Sequence, residues 1–428
     1  ARQPDDGYSA TQLAPIVARR GDPARARELL NKVLKRYPKD YGTLMRLAVI
    51  AAQSGATDEA RDRLKQAADS DPNALLPKVY LARFYMTSGK PLDALAVAEP
   101  ALLRHPKEPG LLETIGRCNL ALRRGAQAVA AFRELVEVKP DSPQARYRLA
   151  RAYATNDDFA GQKGALEAAL ALAPDYPIAK LDMALLLAAE GQGERAEILA
   201  SEVAAVFPDD PMVLSARGDV ASIRGRVEPA IADYQRAFSI APTSELARKL
   251  ARANWKKGDK GGAMATLIAW LERHPKDLGA RLQLAAAYLD MKKLDDARRH
   301  YAEAVEQAPN EVVARNDLAW VLYRMGQYPA ARTHAQRAYE LDDRNPSVLD
   351  TLGMVLLAQG EVSRAVTLLR TARESQPNNP QLAFHLASAL ARAGEKAQAR
   401  VLLKSLLDGN VTFDERDEAK ALLKRVES

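Results

Sequence analysis

Apolar and polar residues follow a helical rhythm along this chain, and that rhythm is itself repeated. Within short stretches the apolar positions fall at i, i+3 and i+4, as in Leu44, Leu47, Ala48 and Ala51, on one face of a helix. Prolines punctuate the stretches. Pro38, Pro72, Pro106, Pro140, Pro174, Pro208 and Pro242 stand 34 residues apart, and the step to Pro275 is 33. Pro309, Asp343, Pro377 and Val411 continue the beat. Glycine recurs about 17 residues upstream, from Gly21, Gly55 and Gly89 through Gly191, Gly225, Gly258, Gly326, Gly360 and Gly394. Small residues stand 24 residues before every station, from Ala14, Ala48, Ala82 and Gly116 to Gly353 and Ala387. A second small series stands 12 residues before it, from Ala26 to Ala399, with Gln162 the one exception. Each unit therefore predicts two amphipathic helices of about 13 residues, roughly 20 Å long. Glycine ends the first with a positive φ, and proline stops the second. The small series mark where neighbouring helices approach too closely for a larger side chain.

These residues resemble the tetratricopeptide (TPR) repeat, with its 34-residue helix–turn–helix unit, two small contact positions and closing proline. The likeness covers residues 7–413, twelve units. Aromatic positions of the repeat are loosely kept, by Tyr85, Tyr153 and Tyr288 in first helices and Phe132, Tyr234 and Tyr301 in second helices. The resemblance implies an all-α fold, a right-handed superhelical solenoid of about twelve units with a C-terminal capping helix.

Three places depart from the pattern. Pro15 lies inside the first helix and is expected to shorten or kink it. The fifth unit lacks its turn glycine around Asn156-Asp157-Asp158. The 33-residue step loses one residue near Thr243, which predicts a bend near residue 243 but no domain boundary. Residues 1–6 read as a leader. Thr412 to Glu415 read as a capping box opening a last helix over 414–428, with Ala419, Leu422, Leu423 and Val426 as its apolar stripe.

Composition narrows the chemistry. Aromatics make up only 6% of the chain, and alanine is abundant, which disfavours a strand-based fold. The net charge of +7 is spread over 62 basic and 55 acidic residues, so no concentrated basic face for nucleic acid is expected. Cys118 stands alone, and no apolar run reaches the ~18 residues of a membrane span. The chain opens at Ala1 without a methionine, as a processed protein or an excised fragment does. The five histidines are scattered, and no HExxH, paired CxxC or EF-hand loop occurs. Gly258-Asp259-Lys260-Gly261-Gly262 lacks the Gly-Lys-Ser/Thr ending of a phosphate loop. No catalytic constellation, metal site or cofactor is expected.

What remains is a groove. In a stacked array the first helices line the inside. The position just after the first small series carries Arg83, Arg117 and Arg151 in three consecutive units, with Tyr147 beside Arg151. This row is either a ligand-binding ladder or a solvated surface relieved locally, for instance by Glu113 four residues before Arg117. Arg252 beside Trp255, and Asn316 with Trp320 and Tyr323, are further groove candidates. Their aromatics serve either as inter-unit packing or as platforms for sugar rings or peptide side chains. The lysine/asparagine clamp of some TPR adaptors is not present as a set.

A finer likeness lies in residues 312–428. Asn316-Asp317-Leu318-Ala319-Trp320, Val348-Leu349-Asp350-Thr351-Leu352-Gly353, His385-Leu386-Ala387 and Phe413 with Arg416 to Ala419 resemble the PrsT-type TPR lipoproteins of exosortase/PEP-CTERM systems. Gly353-Met354 replaces that family's Gly-Trp, and Phe384 replaces its tyrosine. The resemblance implies a periplasmic scaffold of an exopolysaccharide or surface-sorting system. Its membrane anchor would lie in a segment absent here, and its partners would be proteins, peptides or an acidic polysaccharide. The alternative is a cytoplasmic adaptor that binds peptide segments of protein partners.

Overall fold

The computed structural model describes residues 7–408, 413 and 415–427. Among them all regular structure is α-helical, in 25 helices. Residues up to Val206 pack into one compact unit and those from Phe207 into a second, a division that the periodic pattern does not mark. The first unit holds α1 (Gly7–Arg19), α2 (Pro23–Arg36), α3 (Tyr41–Gln53), α4 (Thr57–Ser70), α5 (Leu75–Thr87), α6 (Pro91–Arg104), α7 (Pro109–Ala121), α8 (Gly125–Val138), α9 (Pro143–Thr155), α10 (Phe159–Leu172), α11 (Pro177–Ala189) and α12 (Gly193–Val206). The second holds α13 (Pro211–Ile223), α14 (Val227–Ile240), α15 (Ser244–Lys257), α16 (Lys260–Arg273), α17 (Leu278–Asp290), α18 (Leu294–Gln307), α19 (Val312–Arg324), α20 (Tyr328–Leu341), α21 (Pro346–Ala358), α22 (Val362–Ser375), α23 (Pro380–Arg392), α24 (Lys396–Asp408) and α25 (Arg416–Glu427). Odd helices are the first of each repeat and even helices the second, with α25 closing the series.

The boundaries follow local chemistry. First helices often open on an oxygen-bearing cap and a proline at the first helical position, where its missing N–H costs nothing. Asn379 accepts the amide N–H of Gln381 ahead of α23, and Asp40 accepts that of Thr43 ahead of α3. The turn between paired helices needs a left-handed residue. Nine glycines supply it, and Arg123, Asp157 and Lys292 supply it elsewhere with φ of 56, 55 and 57°. The fifth unit thus keeps its turn geometry without glycine, at the steric cost that a Cβ meets there.

Two expectations about the first repeat and the chain end need correction. Pro15 does not shorten α1, which runs 13 residues like α3 and α5. The terminal helix begins at Arg416 rather than at residue 414. The leader 1–6 and most of the capping box (residues 412 and 414) lie outside the described residues. The lost residue near Thr243 falls in the link before α15, where Thr243 accepts the Leu246 amide and opens the helix one position early.

Packing within each unit uses the two small series. Ala26, Ala94, Ala128, Ala196, Ala297 and Ala365 are fully buried. In α7, a Cβ at Gly116 would stand 2.5 Å from the Phe132 ring. In α13, one at Gly218 would stand 2.7 Å from Tyr234. Small residues on the first helix therefore make room for rings on the second.

Two half-buried histidines in second helices each bury one ring nitrogen away from water. His300 stacks on Tyr288 with ring centroids 5.4 Å apart, and the Nδ1 atoms of His300 and His334 have no partner among the described residues. Burial, then neighbouring arginines, hold both below the ordinary histidine range. A depressed folded-state value contributes stability above an unfolded pKa of about 6.5, which is lost as pH falls through the folded value. Thermal melts should therefore move down between about pH 7 and pH 5. The doubly substituted His300→Gln, His334→Gln protein should show a flatter profile; parallel profiles would mean that neither imidazole is held below its ordinary range.

Candidate functional site

Successive first helices touch one another directly: α5 packs on α7 and α7 on α9 in the first unit, and α15 on α17, α19 on α21 and α21 on α23 in the second. No contact of comparable extent joins successive second helices among the described residues. The first helices thus crowd together on the inner side of each unit.

Arg83, Arg117 and Arg151 occupy the same turn of α5, α7 and α9. Arg83 and Arg151 are exposed, and Arg117 is half-buried. Neither Arg83 nor Arg117 makes an ion pair among the described residues. Glu113 does not relieve Arg117 as its spacing suggested; it pairs with Arg148 of the next repeat at 2.9 Å. Arg151 feels the charge of Asp182, whose pKa burial nevertheless raises. Tyr147 is not an open groove residue. It is 8% exposed, donates its hydroxyl to Asp182 at 2.9 Å, and meets Tyr176 edge-on. Burial, then the Asp182 charge, push its phenol far above the ordinary range.

These contacts belong to a register that spacing arguments missed. A residue on one first helix meets the residue 35 positions on, in the next first helix: Glu113 with Arg148, Tyr147 with Asp182, the Arg248 carbonyl with Gln283, and Asp350 with His385. Lys249 reaches Ser215 across 34 positions, because one residue is missing between them. Complementary residue types at 35-residue spacing are the signal that could have found it. The same packing engages Asp219, which accepts from Tyr234 at 2.8 Å and from Lys249 at 2.7 Å.

Apart from the arginine row, two open recesses face inward. In the first unit α1, α3 and α5 form a trough of about 530 Å³ lined by Pro15, Met45, Val49, Leu76 and Tyr80, with Arg46 at its rim. In the second unit Arg252 and Trp255 line a cavity of about 550 Å³. The other aromatic candidates make packing contacts. Asn316 is buried, with its amide N–H on Asp317 at 3.2 Å. Trp320 stacks on Tyr323 at 5.2 Å and lies 5.6 Å from the His385 ring. His385 is itself 1% exposed and held by Asp350 at 2.8 Å. This cluster packs against the core of the last repeats, with Trp320 and Tyr323 half-buried.

The remaining chemistry is sparse. Cys118 is buried against Met86, and burial pushes its thiol up to about 11, away from nucleophilic use. Among the described residues, no group of three metal-ligating side chains converges, and no helix is long and apolar enough to cross a membrane. The inner face can therefore recognise a ligand by charge, stacking and shape.

Tetratricopeptide-repeat family models match residues 278–344, residues 18–78, 51–118 and 163–220, and residues 116–177 and 351–410. The chain belongs to the tetratricopeptide-repeat family. Cellulose synthase operon protein C of Komagataeibacter sucrofermentans is 25% identical over 373 residues, covering 72% of this TPR chain and 28% of that protein. The protein of that name from Pseudomonas fluorescens is 26% identical over 190 residues, 42% of this chain and 15% of its own length. The TPR chain thus spans between 15% and 28% of the length of these relatives. Among solved structures, a tetratricopeptide repeat protein from Parabacteroides merdae is 17% identical over 58% of this chain and 98% of its own, with a TM-score of 0.45. The APC/C hetero-tetramer Cut9–Hcn1 matches at 12% identity over 97% of this chain and 95% of its own, with a TM-score of 0.48. Family membership stands on the repeat models and the helix pairing. The likeness of residues 312–428 to exosortase-system lipoproteins is not confirmed by these matches.

Proposed function

We propose that this TPR chain is a non-enzymatic binding scaffold of a bacterial exopolysaccharide system, working in the periplasm, and that its inner face holds an extended anionic chain. The observation that carries the reading is the row of Arg83, Arg117 and Arg151, of which two have no ion pair among the described residues. Equivalent side chains on adjacent helices lie about 8–10 Å apart, close to the Debye length of about 8 Å in physiological salt. Their fields overlap, and an acidic polysaccharide or an acidic protein segment meets all three at once. Guanidinium groups suit carboxylates because two parallel donors match two oxygens. The likeness to cellulose synthase operon protein C supports the exopolysaccharide setting.

The apolar trough of α1, α3 and α5 supports a second reading, an adaptor for protein segments, since Tyr80, Met45 and Leu76 offer side-chain pockets more than charge. Titration of the protein with a uronate oligosaccharide and with an acidic peptide, at low and at moderate salt, separates the two. Saturable uronate binding that weakens as salt rises is expected from the first reading. Binding of the peptide alone favours the adaptor, and binding of neither overturns both.

A further inference from the structure

The cavity between α15 and α17 has a composition unlike the arginine row. At about 550 Å³ it lies within the ~300–1,000 Å³ range of ligand pockets. We propose that it is a carbohydrate subsite, which seats one pyranose ring of a hexose polymer against the indole of Trp255. The inference takes its ligand class from the exopolysaccharide reading and its place from the geometry that follows.

Trp255 stands near the end of α15, half-buried. The Lys260 ammonium lies over its ring, 4.7 Å from the centroid, and is held there by Asp290 at 2.8 Å. Trp255 lines the cavity and Lys260 does not. Ala286 and Ala287 of α17 also line it. At the register that carries Arg252 in one repeat, the next repeat has Ala286, and this small residue leaves the recess unfilled. A pyranose presents an apolar C–H face that suits an aromatic plane, and a rim of hydroxyls that both donate and accept.

The cavity supplies that rim. Gln283 uses its amide N–H on the Arg248 carbonyl at 3.0 Å, which leaves its side-chain oxygen as an acceptor. Asp290 holds Lys260 through Oδ2, which leaves Oδ1 as another. Arg252 is exposed and makes no ion pair among the described residues, so its fork of donors is open. Arg252 and Lys256 leave the lining with excess positive charge, so a uronate ring binds more tightly than a neutral hexose.

The test is titration of the whole chain with a short β-linked glucose oligomer and with a uronate oligomer of equal length, followed by heat and by indole fluorescence. Wild type should bind both, and the uronate more tightly. Trp255→Ala should lose at least about tenfold in affinity for each, in line with the energy of one stacked ring, and Trp255→Phe should keep most of it. Arg252→Gln should abolish the preference for uronate while the neutral oligomer still binds. Ala286→Tyr fills the recess from an exposed position and should block binding without disturbing the helix pair. Failure of wild type to bind either oligomer, or equal binding by Trp255→Ala and Ala286→Tyr, would overturn the subsite. The arginine row lies in the other compact unit, so binding that is lost in Arg117→Glu but indifferent to Trp255 overturns this subsite and leaves the exopolysaccharide reading standing.

Discussion

Gly116→Ala is expected to destabilise the protein by about 1–3 kcal/mol, the range for overpacking a filled core. The new Cβ would stand 2.5 Å from Cζ of Phe132 and 2.7 Å from both ring Cε atoms, and Phe132 is fully buried with nowhere to move. The same trade recurs where Gly218 faces Tyr234 and Gly353 faces Leu369, each with a contact of 2.7 Å. The unit that carries Leu166 at that station of the second helix has alanine, Ala150, at the first, so leucine there tolerates a Cβ. Phe132→Leu should therefore relieve much of the cost of Gly116→Ala, although alone it leaves a cavity. A double-mutant cycle by urea denaturation should give a coupling of about 0.5–3 kcal/mol. Strict additivity would mean that the two side chains do not compete for one space. Ala285 with Tyr301 shows that the balance is set pair by pair, through small differences in helix approach.

Removal of residues 414–428 should have the second large effect. Helix α25 buries Ala419, Leu422 and Val426 in the core that contains Leu403 and Leu390, worth about 1.5–3 kcal/mol for each large side chain. Its start also supports the last repeats, with Glu415 Oε1 4.0 Å from His385 Nε2 and Arg416 donating to the Leu407 carbonyl at 3.0 Å. Without it Leu403 loses its cover, beside the half-buried Leu402 and Leu406. A solenoid end without a polar outer face associates with other copies. Light scattering should show self-association or loss of solubility; a truncated protein that stays monomeric at high concentration contradicts this role for α25.

Much of this architecture is legible in the residues because a repeat writes each constraint many times. One small residue opposite one ring is ambiguous, whereas the same station filled by alanine or glycine in every unit fixes the pairing of two helices. Constraints met only once are harder to read. Pro15 suggested a short first helix, yet α1 keeps its 13 residues, so its packing on α2 and α3 outweighs the lost hydrogen bond. Arg123 and Lys292 hold left-handed turns that glycine spacing alone would leave unassigned. The inner face was the least legible part. Helical spacing placed Glu113 beside Arg117 and Tyr147 beside Arg151, but the neighbouring first helix offered both a better partner. A contact between repeats depends on helix crossing, which single-helix spacing does not encode. Arg83 and Arg117 remained available because no acid stands 35 positions on in the next first helix: Cys118 and Ala152 do.

That availability is tested most directly by one titration. A uronate oligomer is added to wild type, to Arg117→Lys and to Arg117→Glu at low ionic strength, with thermal melts to confirm that each protein is folded. Loss of one guanidinium contact and gain of a like charge should lower the affinity of Arg117→Glu by about tenfold or more, as expected when weak surface contacts act in series. Arg117→Lys should fall between it and wild type, because it keeps the charge and loses the fork. Equal affinity of the three proteins would contradict the central claim and leave the arginine row as solvated surface.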